Sequence, residues 1–363
     1  MYVHMYVCTY VCMHTCQNFH YVVLLLCMRT SLLLINVKCL LANDWKLSLG
    51  WLTTVTAFLW FYVGIPYSVW LPGFIPAPYI CSLEFGDLSS YVSNIPFVNN
   101  LETDIGKPDS IMFSSWSSIW TYHTTSENLT HIVNRIDINH KRKNFNSLTN
   151  FAQKNSSTII LVDYGDSCLR KLNRFSKKVS AFVGRCGHTG FRDGLGEKAK
   201  FNSPYQVIID PEDREQFIVT DQGNNALRRI SIVSPTSANV STILSNLPTA
   251  PTAIAWHPQK HRTVFVTCEC VVAEVNLISH RLVAHESACT LQSSILWLTN
   301  EVLLLTNDGM DGLLVGYITH EIQWERVIIL GLSTPKGLLR VNDQVYIGVA
   351  NGINKYPGMT VKW

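Results

Sequence analysis

The sequence predicts an all-β domain over residues 101–363, preceded by an apolar N-terminal region. Three observations support this division. Short apolar runs alternate with turns rich in Gly, Asn and Asp, which is the pattern of an antiparallel β-meander. One strand–turn–strand unit recurs along the chain, as in repeat architectures. A long stretch without any charged residue precedes all of these units.

The most regular unit predicts three consecutive strands. Two apolar runs, Tyr205–Ile209 and Gln216–Thr220, are joined by a turn in which Pro211 fixes φ. A second turn, around Gly223, leads into the apolar run Ala226–Ile232. Glycine and asparagine tolerate positive φ at such a turn, so we expect a tight connection there.

This unit resembles the NHL repeat, which forms one blade of a β-propeller. The matching residues, in order, are Asp193, Gly194, Gly196, Ala199, Phe201, Pro204, Val207, Asp210, Pro211, Val219, Asp221, Gly223, Asn224, Leu227, Arg228 and Ile230. The resemblance implies an NHL-type propeller of four-stranded blades. It implies no particular activity, because propellers host many unrelated functions.

Further units repeat the pattern with decreasing fidelity. Asp163 and Arg170 occupy the positions of Asp221 and Arg228. Units that keep the strands but lose part of the turn are Thr263–Val275, Glu301–Gly316, Val345–Tyr356 and a degenerate one between Ile111 and Ile136. Later units begin, like the one at Pro204, at Pro251, Ser293 and Pro335. Together these units predict about six blades.

The recurring acid and arginine predict an interaction within each turn. We expect Asp221 to pair with Arg228, and Asp163 with Arg170, through charge-assisted hydrogen bonds. The alternative is that the four side chains act independently. The residues expected to shape the turns and the inter-blade loop are Asp163, Arg170, Asp193, Gly194, Gly196, Phe201, Pro204, Asp221, Gly223, Asn224 and Arg228.

The region before the propeller divides into three segments. Residues 1–46 are of low complexity, and we expect a cytoplasmic leader. Residues 47–66 carry no charge beyond Lys46 and are long enough for a membrane helix, which needs about 20 residues. The alternative for this segment is a buried core helix. Residues 67–100 contain repeated prolines, which favour a semi-rigid stalk.

Flanking charges predict the orientation of this single-pass span. Arg29, Lys38 and Lys46 precede it, and the first charges after it are Glu84 and Asp87. Positive charge stays on the cytoplasmic side, so we expect an extracellular or lumenal propeller. A cleaved signal sequence would place the propeller on the same side as a secreted product.

Sequons and cysteines fit that compartment. N-glycosylation triplets begin at Asn128, Asn155 and Asn239, all after the predicted span. Cys168 opens one predicted strand and Cys186 follows the next, so a hairpin would bring them within disulfide range.

A second pair of cysteines has a similar spacing two units later. These are Cys270 and Cys289, with Cys268 as a competitor for the same partner. The recurrence predicts a second disulfide, which an oxidising compartment would maintain.

We assign no catalytic, cofactor-binding or metal-binding residue from the sequence. Gly194–Ala199 fits a dinucleotide-binding pattern only superficially, because no strand precedes it and no helix follows it. His257 and His261 are four residues apart, but Pro258 makes this segment a turn rather than a helix. The histidines that a zinc site would also need to bring together are His188, His285 and His320.

The predicted function is a non-enzymatic scaffold that binds an unidentified extracellular protein or small ligand, attached to the membrane through its N-terminal helix. The net charge of +3 on 363 residues gives no concentrated basic patch for nucleic acid. The alternative, implied by related propellers, is a zinc-dependent lyase or hydrolase. An RNA-binding NHL domain is the third hypothesis.

Overall fold

The computed structural model describes most of the chain from Ser82 to Lys362. The residues outside this description are 1–81, 86–89, 93–94, 96, 137–142, 288–292, 308–311, 319–321, 329–331, 333, 343, 358 and 363. The predicted leader and the predicted membrane helix at 47–66 lie outside the described residues. Among the described residues, no helix has the length and apolar character that crossing a bilayer requires.

The described residues form short strands and three single 3-10 turns, at Tyr164–Asp166, Gly196–Lys198 and Gln222–Asn224. The strands are β1 (Ser82–Phe85), β2 (Ser90–Val92), β3 (Asn100–Thr103), β4 (Ser110–Ser115), β5 (Ser118–His123), β6 (Asn128–Asn134), β7 (Leu148–Gln153), β8 (Thr158–Asp163), β9 (Cys168–Asn173), β10 (Lys178–Val183), β11 (Gly194–Leu195), β12 (Pro204–Ile209), β13 (Gln216–Asp221), β14 (Ala226–Ser234), β15 (Ser237–Leu244), β16 (Pro251–Trp256), β17 (Thr263–Cys268), β18 (Val271–Asn276), β19 (Leu282–Glu286), β20 (Ile295–Trp297), β21 (Val302–Asn307), β22 (Gly312–Ile318), β23 (Ile322–Ile328), β24 (Gly337–Val341), β25 (Gln344–Val349), β26 (Gly352–Pro357) and β27 (Met359–Lys362).

Six antiparallel sheets form the blades of a propeller. Blades 1 to 6 contain β3–β6, β7–β10, β12–β15 with β11 at the outer edge, β16–β19, β20–β23, and β24–β26 with β2 at the outer edge. The innermost strand of each blade contacts that of the next, and β24 contacts β3, so the ring is closed. The predicted all-β fold of six four-stranded blades is therefore confirmed.

The last blade is completed by a strand from the N-terminal side of the ring. β2 pairs with β26, with Tyr91 opposite Asn354. Residues 90–92 lie within the segment 67–100, for which the sequence predicts a stalk. Blade 1 also begins at Asn100, earlier than the predicted unit between Ile111 and Ile136. A separate two-stranded sheet pairs β1 with β27.

Burial explains why several strands lack alternating polarity. Every residue of β21 is buried, and five of the six residues of β8 are buried. Strands in the middle of a blade are covered on both faces by neighbouring blades, so both faces must be apolar. Between blades 2 and 3, for example, Ile160, Phe182, Phe201 and Phe217 belong to one continuous core cluster.

Amide side chains connect the inner strands of neighbouring blades. The Nδ2 of Asn100 donates to the carbonyl of Phe151 (3.4 Å), and the Oδ1 of Asn150 accepts from the N–H of Val207 (3.2 Å). Gln206 makes the same kind of bond to the backbone of the following blade (2.8 Å). These contacts satisfy buried polar groups in the channel wall, which would otherwise be costly to leave unpaired.

Candidate binding site at the mouth of the central channel

The topology collects the starts of the six inner strands at one end of the channel. Each blade has four antiparallel strands and begins with its inner strand, so all six inner strands run in the same direction. Their first residues, together with the loops that precede them, surround one opening. The turns between the second and third strands of each blade lie at the same end. We call this end the mouth.

Polar side chains meet across the mouth. The hydroxyl of Tyr205, on β12 of blade 3, contacts the Oγ of Ser293, just before β20 of blade 5, at 3.3 Å. This contact therefore passes over the start of blade 4. The Nζ of Lys336, just before β24 of blade 6, donates to the same Oγ at 3.5 Å. Three blades thus contribute to one polar centre.

Aromatic rings border this polar centre on two sides. The ring of Tyr164 packs edge-on against that of Tyr205, with centroids 6.3 Å apart. The Nζ of Lys336 lies 5.8 Å from the centroid of Phe97, within the range of a cation–π contact. We refer to Phe97, Tyr164, Tyr205, Ser293 and Lys336 as the mouth cluster.

Local structure holds Tyr164 in place. It begins the 3-10 turn that follows Asp163, and the Asp163 carboxylate accepts from the backbone N–H groups of Asn146, Ser147 and Asp166. This carboxylate therefore connects the turn to the loop that enters blade 2. Side chains held by rigid elements lose little conformational entropy when they bind a ligand.

The chemistry of the mouth cluster suits binding. It combines a cationic amine, an alcohol, two phenols and a phenyl ring around one recess. Apolar surface with a few convergent polar groups is typical of ligand sites, in which the polar groups orient what the apolar surface buries.

The sequence did not single out these five residues, because they are distant in the chain and belong to no motif. A signal was nevertheless present. Tyr205, Ser293 and Lys336 each begin, or directly follow the beginning of, a repeat unit. A propeller places such positions around one opening.

The two predicted ion pairs are confirmed. Arg228 donates to Asp221 at 2.6 Å, and both side chains are fully buried. Arg170 donates to Asp163 at 2.6 Å and also to Asp166. Each pair connects the turn at the end of the second strand to the third strand.

Arg228 also fixes the loop 184–203 between blades 2 and 3. It donates to the Asp193 carboxylate (2.7 Å) and to the carbonyls of Arg192 (3.0 Å) and Lys200 (3.2 Å). Its guanidinium lies between two aromatic rings, 4.8 Å from the centroid of Phe191 and 5.2 Å from that of Phe201. A single buried arginine therefore organises the whole loop.

Burial and hydrogen bonding act in opposite directions on the two acids around Arg228. Burial raises the pKa of the Asp221 carboxyl, in spite of hydrogen bonds from Asn224, the Asn202 backbone and Arg228. For Asp193, burial also acts to raise the pKa, but hydrogen bonds from Thr242 and Arg228 outweigh it, and the pKa falls below its ordinary value.

The predicted loop residues have distinct roles. Gly194 and Gly196 adopt positive φ, of 142° and 55°. The expectation of positive φ at Gly223 was wrong: Asn225 takes the left-handed conformation, at φ 47°. Gly223 is required for a different reason, since a Cβ there would lie 2.5 Å from the side chain of Asn202.

Other predicted members of this region are buried or hydrogen-bonded. Phe201 is fully buried, and Pro204 begins β12. The Asn224 amide donates to Asp221 (2.8 Å) and to the carbonyl of Gly190 (3.0 Å). These contacts add to those of Arg228 in holding the loop against blade 3.

The cysteine predictions are partly tested. Cys168 and Cys186 form a disulfide with a Cα–Cα distance of 5.0 Å, as predicted. Cys270 is also disulfide-bonded, whereas its predicted partner Cys289 lies outside the described residues. Cys268, the predicted competitor, is a buried free thiol, and burial raises its pKa to about 12.

All three sequon asparagines are exposed. Asn128 begins β6, Asn155 lies in the turn between β7 and β8, and Asn239 lies on β15, the outer strand of blade 3. Each amide is therefore accessible, and glycosylation remains a prediction.

The candidate histidines do not form a common site within the described part of the chain. The ring of His257 is buried, and its Nδ1 accepts from the backbone N–H groups of Gln259 (3.1 Å) and Lys260 (2.9 Å). Burial and the nearby Lys260 lower the pKa of this imidazole. His261 is exposed and lies 3.3 Å from Glu212.

The remaining histidines lie elsewhere. The Nδ1 of His188 is 3.2 Å from the carbonyl of Cys186, and the Nε2 of His285 is 3.8 Å from Glu274. His320 lies outside the described residues. Among the residues that the structure describes, no group of three or more His, Cys, Asp or Glu side chains is arranged to hold a metal ion.

No protein-family model and no curated protein sequence matches the chain. Solved structures do resemble it. A chain of the nidogen/laminin complex is 10% identical, with 70% of this chain and 86% of that chain covered and a TM-score of 0.51. A putative gluconolactonase is 12% identical, with 78% and 94% covered and a TM-score of 0.53. A streptogramin B lyase is 13% identical, with 77% and 98% covered and a TM-score of 0.51.

Identities this low show the fold alone. The chain is a six-bladed β-propeller. By their names, its structural neighbours include enzymes as well as a component of a binding complex, so the fold is compatible with either kind of function.

Proposed function

We propose that this chain is an NHL-type propeller of an extracellular or lumenal compartment that binds a protein or small ligand at the mouth of its channel, without catalysing a reaction. The mouth cluster carries the proposal. Tyr205, Ser293 and Lys336 bring hydroxyl and ammonium groups from three blades to one point, and the rings of Phe97 and Tyr164 supply the apolar contact surface that recognition uses.

The cysteines support the compartment. The disulfide between Cys168 and Cys186, and the bonded state of Cys270, are typical of proteins that fold in oxidising surroundings. The apolar segment 47–66 would attach the propeller to the membrane as a single-pass anchor. Cleavage of the leader would release the same propeller as a secreted protein.

The environment of the histidines favours binding over the zinc-dependent alternative. Binding at Nδ1 of His257 would break two backbone hydrogen bonds that hold its turn. His261 is directed at Glu212 on the surface instead of toward His257. Binding of RNA is the weakest hypothesis, because it requires a concentrated basic face.

The test uses the full-length chain produced in secretory cells. We expect the Tyr205→Phe/Lys336→Gln variant to lose most of the partner that the wild-type protein captures from the cell surface or medium. Lys177→Gln is the matched control, since Lys177 is exposed in the turn between β9 and β10, at the end opposite the mouth. Capture of the same partner by all three proteins would exclude the mouth as the binding site.

Metal analysis of the same purified protein separates the two main hypotheses. Stoichiometric zinc that is lost on substitution of His257 or His285 would replace the binding proposal with the enzyme. Cys168 and Cys186 both found as free thiols in cells would contradict the proposed compartment.

A further inference from the structure

A cleft separates the outer parts of blades 2 and 3 on the side opposite the mouth. Its volume is about 440 Å³, and its lining includes Lys154, Asn155, Lys171, Glu215, Ile232 and Val233. Cavities of ~300–1,000 Å³ accommodate small ligands. The cleft is therefore large enough for a molecule the size of a monosaccharide, and one of its lining residues is a sequon asparagine.

The side chain of Asn155 is held with its attachment atom free. Its Oδ1 accepts from the N–H of Ser157 (3.0 Å), the Oγ of Ser157 (2.9 Å) and the N–H of Thr158 (2.9 Å). These three bonds fix the plane of the amide. The Nδ2, which is the atom that N-glycosylation modifies, makes no hydrogen bond with the described part of the chain.

The walls of the cleft have the mixed chemistry of a sugar site. Ile232 is partly buried and Val233 is 59% exposed, so blade 3 offers apolar surface to the C–H face of a pyranose ring. On the polar side, Lys154 pairs with Glu215 at 2.6 Å, and Lys171 donates to the carbonyl of Pro235 at 2.8 Å. Amine and carboxylate groups of this kind can exchange such bonds for bonds to sugar hydroxyls.

We propose that Asn155 carries an N-linked glycan whose first N-acetylglucosamine occupies this cleft and bridges blades 2 and 3. The inference rests on the compartment in the proposed function. In the attachment step, a lipid-linked oligosaccharide diphosphate supplies the sugar. The bond from Nδ2 to C1 forms, the bond from C1 to the diphosphate oxygen breaks, and the amide gives up one proton.

The other two sequons provide internal controls. Asn128 and Asn239 are exposed like Asn155, but neither lines this cleft. A glycan on either of them should add mass and solubility without bridging these blades. The proposal therefore assigns a stabilising role to one glycan of three.

The experiment uses full-length protein carrying Asn128→Gln and Asn239→Gln, made in cells that attach high-mannose glycans. One sample is cut with an endoglycosidase that leaves a single N-acetylglucosamine, and another with an amidase that removes the whole glycan. We expect the first treatment to leave Tm unchanged and the second to lower it by about 2–4 °C, the range for a modest stability loss in a domain of this size.

Two variants address the aspartate that the amidase leaves behind and the role of the apolar wall. Asn155→Gln in the same background carries neither sugar nor new charge, and we expect its Tm to match the fully deglycosylated sample. Val233→Ser should reduce the Tm difference between the two treatments. Chains that keep only Asn128 or only Asn239 should show no difference between them.

Each outcome bears on a distinct claim. Glycans on Asn128 or Asn239 but not on Asn155 would overturn this inference and leave the compartment intact. A glycosylated Asn155 with equal Tm after both treatments would also overturn it. Absence of glycan from all three asparagines would overturn both the inference and the proposed compartment.

Discussion

Blades 3 and 4 are neighbours with the same strand geometry, yet they complete their central turn differently. In blade 3 the second strand ends at Asp221, opposite Pro204, and in blade 4 it ends at Cys268, opposite Pro251. Both terminal residues are fully buried. One is an acid paired with arginine, and the other is a thiol.

The partner position differs in the same way. Arg228 lies opposite Val219, and the residue at the corresponding register in blade 4 is Ala273, opposite Val266. Blade 4 therefore forms from its strand ladders and apolar packing without this ion pair. The comparison teaches that the Asp–Arg signature is not what makes a blade. Its role is to hold the loop 184–203 against blade 3.

Removing Arg228 should have the largest effect. Arg228→Met leaves Asp221 buried without its cation, which typically costs about 3–5 kcal/mol of unfolding free energy. Arg229→Met, on the neighbouring and partly exposed residue, should change it by less than about 0.5 kcal/mol. Urea unfolding measures both. The Asp221→Leu/Arg228→Met double variant should recover part of the loss, and no recovery would contradict our account of the pair.

The disulfide at the edge of the same loop should have the next largest effect. Cys168→Ala/Cys186→Ala removes a cross-link between residues 18 positions apart. The chain-entropy relation gives a loss of about 3 kcal/mol. The matched control is Cys268→Ala in blade 4, which removes only one buried sulfur and should cost about 1 kcal/mol. Equal losses in the two proteins would mean that the cross-link adds nothing.

A buried acid bonded to an amide instead of an arginine should reveal itself through pH. Burial raises the pKa of Glu102, on β3, to about 8, although Gln153 donates a hydrogen bond to it at 3.3 Å. The folded state then holds a proton that the unfolded state releases near pH 4.5. Stability from this group is full below that pH and is lost as the pH rises toward 8.

Glu102→Gln should therefore remove a decline in stability between pH 4.5 and 8. The measurement is the urea midpoint at several pH values for wild type and variant. Glu301→Gln, at an exposed turn position, should keep the decline of the wild type. A Glu102→Gln profile parallel to that of the wild type would show that Glu102 does not titrate in this range.

The sequence predicts the parts of this fold that depend on local chemistry. The turn after Asp221 and the hairpin that brings Cys168 near Cys186 are both legible within a few residues, and both are confirmed. Degenerate blades are recognisable from apolar strands such as Val302–Asn307, because burial on both faces demands them.

Features that depend on ring closure are not legible in this way. Ser90–Val92 is three residues long and lies after a run of prolines, and it becomes a strand only because β26 offers it an edge. The contact of Tyr205 with Ser293 likewise exists only once blades 3 and 5 surround a channel. Neither residue carries a local mark of this role.

The closing strand also determines how mechanical load would enter the molecule. Everything N-terminal to the ring, including residues 47–66, connects to it through the segment that contains β2. Tension applied to that end is transmitted to blade 6 along the ladder between β2 and β26, where it shears a short row of backbone hydrogen bonds. The first element to detach would be the one that closes the ring, so a pulled propeller would open at blade 6 before any other blade loses a strand.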